Sequence, residues 1–201
     1  MNKNILDFYF KTLELKNVKR EGWVEVGIEN SESVMDHIGG SILLAMTIAT
    51  EKGLLLDMKK VYEMLAIKEL KKAIYKKEES VIIPEDEDIK PKKDTTMDML
   101  GLLSNNEELK KIYDEYNEGT SKEAKFVLMV SKLESDIQAK KYELDGKFTV
   151  ENAKNDIKNY PKELKDQLTD IEKASDGWLL FDRQYYDEVF ALIQDDVKNY
   201  N

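Results

Sequence analysis

Apolar residues recur at intervals of three and four along most of this chain, the repeat of helices that bury one stripe and wet the other. Ile5, Phe8, Tyr9, Thr12 and Leu13 share the inner face of a helix expected from about Ile5 to Lys16. Ser33 to Thr50 is the second, begun by a Ser31 or Ser33 cap and displaying Ile38, Ile42, Ala45, Met46 and Ala49. Asp57 caps a third, running to about Tyr75 on Val61, Met64, Leu65 and Ile74. Residues 79–93 hold Pro84, Pro91 and an acidic run, so they are read as a loop too short to separate domains. Helical spacing resumes with Met97, Leu100 and Leu103, then Leu109, Ile112, Tyr113 and Tyr116. Thr120-Ser-Lys-Glu123 reads as a capping box for a long helix to about Leu144, carrying Phe126, Val130, Leu133 and Ile137. The tail adds Val150, Ala153 and Ile157, then Leu164, Leu168 and Ile171, then Phe181, Tyr185, Val189, Ile193 and Val197. The expected fold class is all-α, a single-domain helical bundle over residues 1–201 with no internal repeat.

Composition narrows the function more than the fold. With 201 residues, 41% of them hydrophobic, one domain with a substantial core is expected. The chain has no cysteine, which removes disulfides, thiolate nucleophiles and cysteine zinc sites together. No long apolar run exists, and Asp7 stands where a secretory leader would be greasy, so a cytoplasmic protein with no membrane partner is expected. A net charge of −10 argues against nucleic acid, whose phosphates need Lys and Arg. Most charges alternate in sign, as in Glu107-Glu108-Leu-Lys110-Lys111, the habit of solvated helix faces. The exception is the cluster Lys68, Lys71, Lys72, Lys76 and Lys77.

Residues 20–37 read Arg20-Glu-Gly-Trp23-Val-Glu-Val-Gly-Ile-Glu-Asn-Ser-Glu32-Ser33-Val34-Met-Asp36-His37. This segment resembles the opening of HD-domain metal-dependent phosphohydrolases, in the branch that removes phosphate from nucleoside 5′-monophosphates. The similarity extends from about Ile5 to Glu143: Met64-Leu-Ala-Ile67 is similar to the lead into the family's His-Asp pair. Leu109-Lys-Lys-Ile-Tyr113-Asp-Glu115-Tyr116 resembles its Leu-x-x-Leu-Trp-x-Glu-Tyr stretch, and Ala124-Lys125-Phe126-Val127 precedes its last ligand. Gln138-Ala139 and Tyr142-Glu143 follow at the family's spacing, leaving 149–201 as additional C-terminal helices. The resemblance implies an HD-type bundle and a divalent metal such as Mn, Co, Mg or Zn. Its four ligand positions fall on His37, Lys68, Glu69 and Ser131. A protonated lysine is no ligand, and a neutral hydroxyl is a poor one beside a carboxylate. Lys72 and Lys76-Lys77 replace the family's downstream glutamate and Gly-Asp, and an ordinary lysine cannot serve as a general base near neutrality. The expectation is therefore a degenerate member, a pseudoenzyme with no metal, no cofactor and no catalytic residue of the family's kind.

The candidate pocket comprises Arg20, Trp23, Glu32, Ser33, His37, Lys68, Glu69, Lys72 and Ser131. Val61, Met64, Leu65, Lys68 and Lys72 lie on one stripe, which turns Lys68 inward and leaves two readings. Either its ammonium pairs with Glu69 where a cation once sat, or it joins Arg20 and Lys72 to hold a phosphate or carboxylate. Trp23 serves packing or substrate, Glu32-Ser33 a helix start or a ligand, and His37 a hydrogen-bonded core or a metal. No Ser-plus-carboxylate arrangement around His37 is fixed by the sequence. The aromatic tail of Trp178, Phe181, Tyr185, Tyr186, Phe190 and Ile193 is core or an association surface, core being favoured. A nucleotide- or phosphate-binding regulatory module is the leading function. The alternatives are an active phosphohydrolase with ligands rearranged onto His37, Glu69, Asp36 or Glu134, and a helical protein with no small ligand. Expected partners are a small phosphorylated ligand or nucleotide and a second copy of the chain, since the resembling enzymes commonly pair into dimers.

Overall fold

A computed structural model describes residues 3–25, 27–73, 95–147 and 186–201. Its elements are α1 (Lys3–Leu13), a 3-10 turn (Glu14–Lys16), α2 (Glu21–Glu25), α3 (Val34–Glu51), α4 (Met58–Ile67) and a second 3-10 turn (Leu70–Ala73). These are followed by α5 (Thr95–Leu100), α6 (Glu107–Glu118), α7 (Lys122–Leu144) and α8 (Glu188–Asn199). The described residues contain no strand, so the all-α bundle stands. A lone antiparallel bridge joins Lys19 to Ser33. No helix among them is long and apolar enough to cross a membrane.

The longest helix among the described residues, α7, is the axis on which α3, α4, α6 and α8 pack. Phe126, Val127, Val130 and Leu133 bury one stripe of it against Val61, Met64 and Leu65 of α4 and Val34, Ala45 and Ile48 of α3. Its start lies one residue from the expected box: Ser121 is the cap and accepts from the Ala124 N–H at 3.2 Å. Glu123 turns instead to the backbone N–H of Asp57 at 2.9 Å, so one carboxylate ties the starts of two helices. Asp57 caps α4 as expected, through the Lys60 N–H.

Three expectations are corrected. Of the face assigned to the first helix, Ile5 is 60% and Tyr9 57% exposed, whereas Thr12 is buried. The main neighbours of α1 are the two 3-10 turns, which cover only a narrow edge, and Leu15 in the turn after α1 fills the core instead. Met46 on α3 is half exposed, while Ala45 and Ala49 beside it are buried. The third helix stops at Ile67 and tightens into a 3-10 turn, in which the Lys72 N–H reaches the Glu69 carbonyl at 3.0 Å. Three residues per turn stack Glu69 under Lys72, an alignment that the site uses.

The tail aromatics reach the core where they are described. Phe190 of α8 is buried edge-to-face on Phe126, with centroids 5.7 Å apart, and stacks on Tyr186. Buried Asp136 on α7 accepts from the Tyr186 hydroxyl at 2.7 Å and the Gln194 amide at 3.0 Å. The loop expected at 79–93 and the tail helices before Tyr186 lie outside the described residues, as do Ile74, Tyr75, Lys76 and Lys77.

Candidate functional site

The start of α3 is built by a capping box. Ser33 Oγ accepts from the Asp36 N–H, and the Asp36 carboxylate accepts from the Ser33 N–H at 2.8 Å. Those bonds hold Asp36 below the usual carboxylate range. Ser33 therefore caps the helix, and its N–H and hydroxyl both engage Asp36 through Oδ2. The cap aims the first turn of α3 inward and places His37 in the core, 2% exposed. Alongside, the Val34 N–H bonds the Val18 carbonyl at 2.8 Å and the Arg20 N–H bonds the Glu32 carbonyl at 3.3 Å, which seats Arg20 beside the helix start.

Arg20 and Trp23 converge on one carboxylate oxygen. Arg20 Nη1 and Trp23 Nε1 donate to Glu32 Oε1 at 2.7 and 2.8 Å, and Arg20 Nη2 donates to Ser135 Oγ at 2.8 Å. Trp23 stands edge-to-face on Tyr142, whose hydroxyl accepts the Glu32 N–H. Trp23 and Glu32 thus form the wall that orients the guanidinium.

Four elements meet at His37. Ser131 and Glu134 lie three residues apart on α7, on one helical face, and clasp the imidazole between them. Nε2 is 3.1 Å from Ser131 Oγ, and Nδ1 is hydrogen-bonded to Glu134 Oε2. Arg20 Nη1 is 3.7 Å from that carboxylate. Gly40, one turn along α3, makes the room: a Cβ there would meet Glu134 Oε1 at 2.7 Å. From the end of α4, the Lys68 ammonium, its side chain 5% exposed, donates to Glu69 Oε1 at 2.5 Å, and Lys72 reaches Glu69 Oε2 at 2.9 Å.

Burial sets the charges. It lowers His37 and, with the cations Arg20 and Lys68, holds the imidazole down to about 2. It raises Glu134, and the Glu32 carboxylate adds to the push, up to about 8 despite Arg20 and Lys68. The pair is thus uncharged at neutral pH, its proton on the carboxyl. Burial also opposes Glu69, but Lys68 and Lys72 outweigh it and hold that carboxylate down to about 2. Lys68 is pulled below its ordinary value by burial, against the attraction of Glu69.

All nine candidate residues fall within this neighbourhood, in unequal roles. Ser33 caps a helix, Trp23 and Glu32 brace Arg20, and Lys68, Glu69 and Lys72 form an ion triplet. His37 and Ser131 touch each other. Sequence reasoning weighed Glu134 only as a stand-in ligand and found no Ser-plus-carboxylate setting for His37; both partners were there, three residues apart on a helix whose phase facing α3 the sequence left open. Ser135 was missed, its only signal being the same helical phase, and Tyr142 was noted for its spacing but given no role at the site.

A sequence model of the HD domain matches residues 13–172, most of the chain. The chain belongs to the HD-domain family. Among curated relatives, the zebrafish (Danio rerio) protein named 5′-deoxynucleotidase HDDC2 is 32% identical over 152 residues, 72% of each chain. The human 5′-deoxynucleotidase HDDC2 is 27% identical over 144 residues, 70% of this chain and 69% of that one. A solved structure of a conserved hypothetical protein from Pyrococcus furiosus aligns at a TM-score of 0.59 with 25% identity, covering 96% of this chain and 99% of its own.

In this HD-domain chain the residues at the four positions that the resemblance assigns to the family's divalent ion do not suit one as they stand. Lys68 brings a proton donor already committed to Glu69, and Ser131 brings a neutral hydroxyl already bonded to His37 Nε2, the ring edge a metal would need. A different trio, Glu32, His37 and Glu134, holds one potential ligand atom each within 4.8 Å of the others. The Arg20 guanidinium sits against both of its carboxylates.

Proposed function

We propose that this HD-domain protein binds a small phosphorylated ligand, a nucleoside 5′-monophosphate by class, in a pocket where an ammonium replaces the metal, and that it works as a regulatory module of the cytoplasm rather than as a metal-dependent phosphohydrolase. The observation that carries the reading is buried Lys68 at a ligand position, with Arg20, Lys68 and Lys72 all exerting their charge on His37. Buried or half-buried cations recognise phosphate oxygens by charge-assisted hydrogen bonds. Lys72, half exposed and bound only to Glu69 among the described residues, is the one placed to swing onto a ligand. The relatives named 5′-deoxynucleotidases point to a deoxynucleotide as the ligand to try first.

The test is calorimetry with deoxynucleoside monophosphates in the presence of chelator. Binding is expected without metal, weakened about tenfold or more in Lys72→Ala, with no phosphate released on adding manganese or cobalt. No binding by any nucleotide of the panel overturns the reading.

The trio Glu32, His37 and Glu134 favours a second reading, a hydrolase with a rearranged metal site. It requires Arg20 to yield to a divalent ion. Stoichiometric transition metal in protein purified without chelator, lost in Glu134→Gln, together with nucleotide hydrolysis, would establish it in place of the first.

A further inference from the structure

The outer face of α1 is apolar where a surface helix is ordinarily charged. Ile5 and Tyr9 form one row along it and Leu6 and Phe10 the next, and all four side chains are more than half exposed. Single exposed apolar residues need no explanation. Four large ones side by side leave roughly 400 Å² of apolar surface in water, comparable with the largest patch of a typical monomer, which is often functional. The opposite edge is the seated one: Thr12 is buried, Phe8 packs on the core, and Asn4 Nδ2 donates to Ser104 Oγ at 2.8 Å.

Charge decides what fits this face. Lys3, Asp7 and Lys11 form the row beside Leu6 and Phe10, and Lys16 follows in the 3-10 turn, all of them exposed. Residues 3–19 carry four lysines against two carboxylates, in a chain whose net charge is −10. Lys3, Lys11 and Lys16 make no ion pair among the described residues. A second copy suits the face poorly. Paired with itself it would set cation against cation, and laid on an acidic surface elsewhere it would build an open chain of copies.

We propose that α1 is an interfacial helix that lays the protein on an anionic membrane surface, with Ile5, Leu6, Tyr9 and Phe10 at the level of the lipid headgroups. Lys3, Lys11 and Lys16 reach the lipid phosphates on flexible stems, and Tyr9 keeps its hydroxyl in the wet layer while its ring enters the apolar one. The acidic remainder of the chain is repelled by the same surface, so the field orients the protein as well as attracting it. The contact is peripheral, since no helix among the described residues is long and apolar enough to cross a bilayer. No residue of α1 belongs to the candidate site, so membrane contact stands or falls apart from nucleotide binding.

Flotation of the full chain with lipid vesicles tests this. The expected result is binding to phosphatidylcholine vesicles that contain phosphatidylglycerol, about tenfold or more weaker on phosphatidylcholine alone and lost at about 0.5 M salt. Leu6→Ser and Phe10→Ser alter exposed side chains and leave the core intact, which their melting curves check. Each is expected to weaken binding about tenfold or more. Lys3→Glu combined with Lys11→Glu is expected to abolish the preference for the anionic vesicles. Absence of binding to the anionic vesicles, or binding that Phe10→Ser leaves unchanged, overturns the proposal. So does a solution dimer that Phe10→Ser dissociates, which would give the stripe to a second copy.

Discussion

Lys68 and Glu69 show what a buried ion pair demands of its surroundings. Two buried charges 2.5 Å apart are tolerable because each neutralises the other, and Lys72 supplies a further donor to the same carboxylate. Removing Glu69 strands the Lys68 ammonium in low dielectric, whereas removing Lys68 leaves Glu69 still held by Lys72. Glu69→Gln is therefore expected to destabilise the fold by about 3 kcal/mol, and adding Lys68→Met to recover most of that loss, read as urea midpoints of the single and double variants. Equal destabilisation by the single and the double variant would show that the pair is not coupled. The same logic explains Ser131: the hydroxyl stands within hydrogen-bonding distance of His37 Nε2 and gives a sealed imidazole a partner on its second nitrogen.

Helices become site-builders through their ends and their phase. The Ser33 and Asp36 box fixes where α3 begins and hence which way His37 points, and the 3-10 turn after α4 stacks Glu69 under Lys72. Packing of α8 is a separable matter, resting on Phe190 between Phe126 and Tyr186 and on the Asp136 bonds. Phe190→Ala removes a fully buried ring and is expected to cost about 3–5 kcal/mol in thermal or urea unfolding. Nucleotide binding at temperatures well below the transition is expected to persist, because α8 meets α7 through Phe126 and Asp136 while the site gathers at Ser131 and Glu134.

For the whole molecule, the buried titratable groups set a pH window. Glu134 is held at about 8 against 4.5, so the stability it contributes is full below pH 4.5 and lost as pH rises towards 8. His37, at about 2 against 6.5, and Glu69, at about 2 against 4.5, contribute above those ordinary values and lose their contributions as pH falls towards 2. Between 4.5 and 6.5 the His37 and Glu134 slopes cancel, so unfolding free energy from these groups is flat there. It falls with one proton's slope from 6.5 to about 8, and with two below 4.5. Urea titrations across pH are expected to follow that profile, and Glu134→Gln to abolish the alkaline limb; an unchanged limb in that variant would refute the assignment.

Much of this was legible in the chain. Three- and four-residue spacing, a few caps and the scarcity of proline specify helices, because local burial of a stripe and satisfaction of terminal amides need no distant partner. The motif from Arg20 to His37 marked the neighbourhood of the site, and the residue types at Lys68 and Ser131 are what the proposed metal-free function rests on. Which stripe of α1 faces inward, where α4 tightens, and that Glu134 rather than Asp36 reaches the imidazole were decided only by packing. Carboxylates at 36 and 134 are identical as chemistry; one lies at a helix start with free amides to cap, the other on a buried face opposite a glycine. The Ser33-to-Asp36 spacing encodes the first role locally, whereas the second depends on position in three dimensions, which no local pattern encodes.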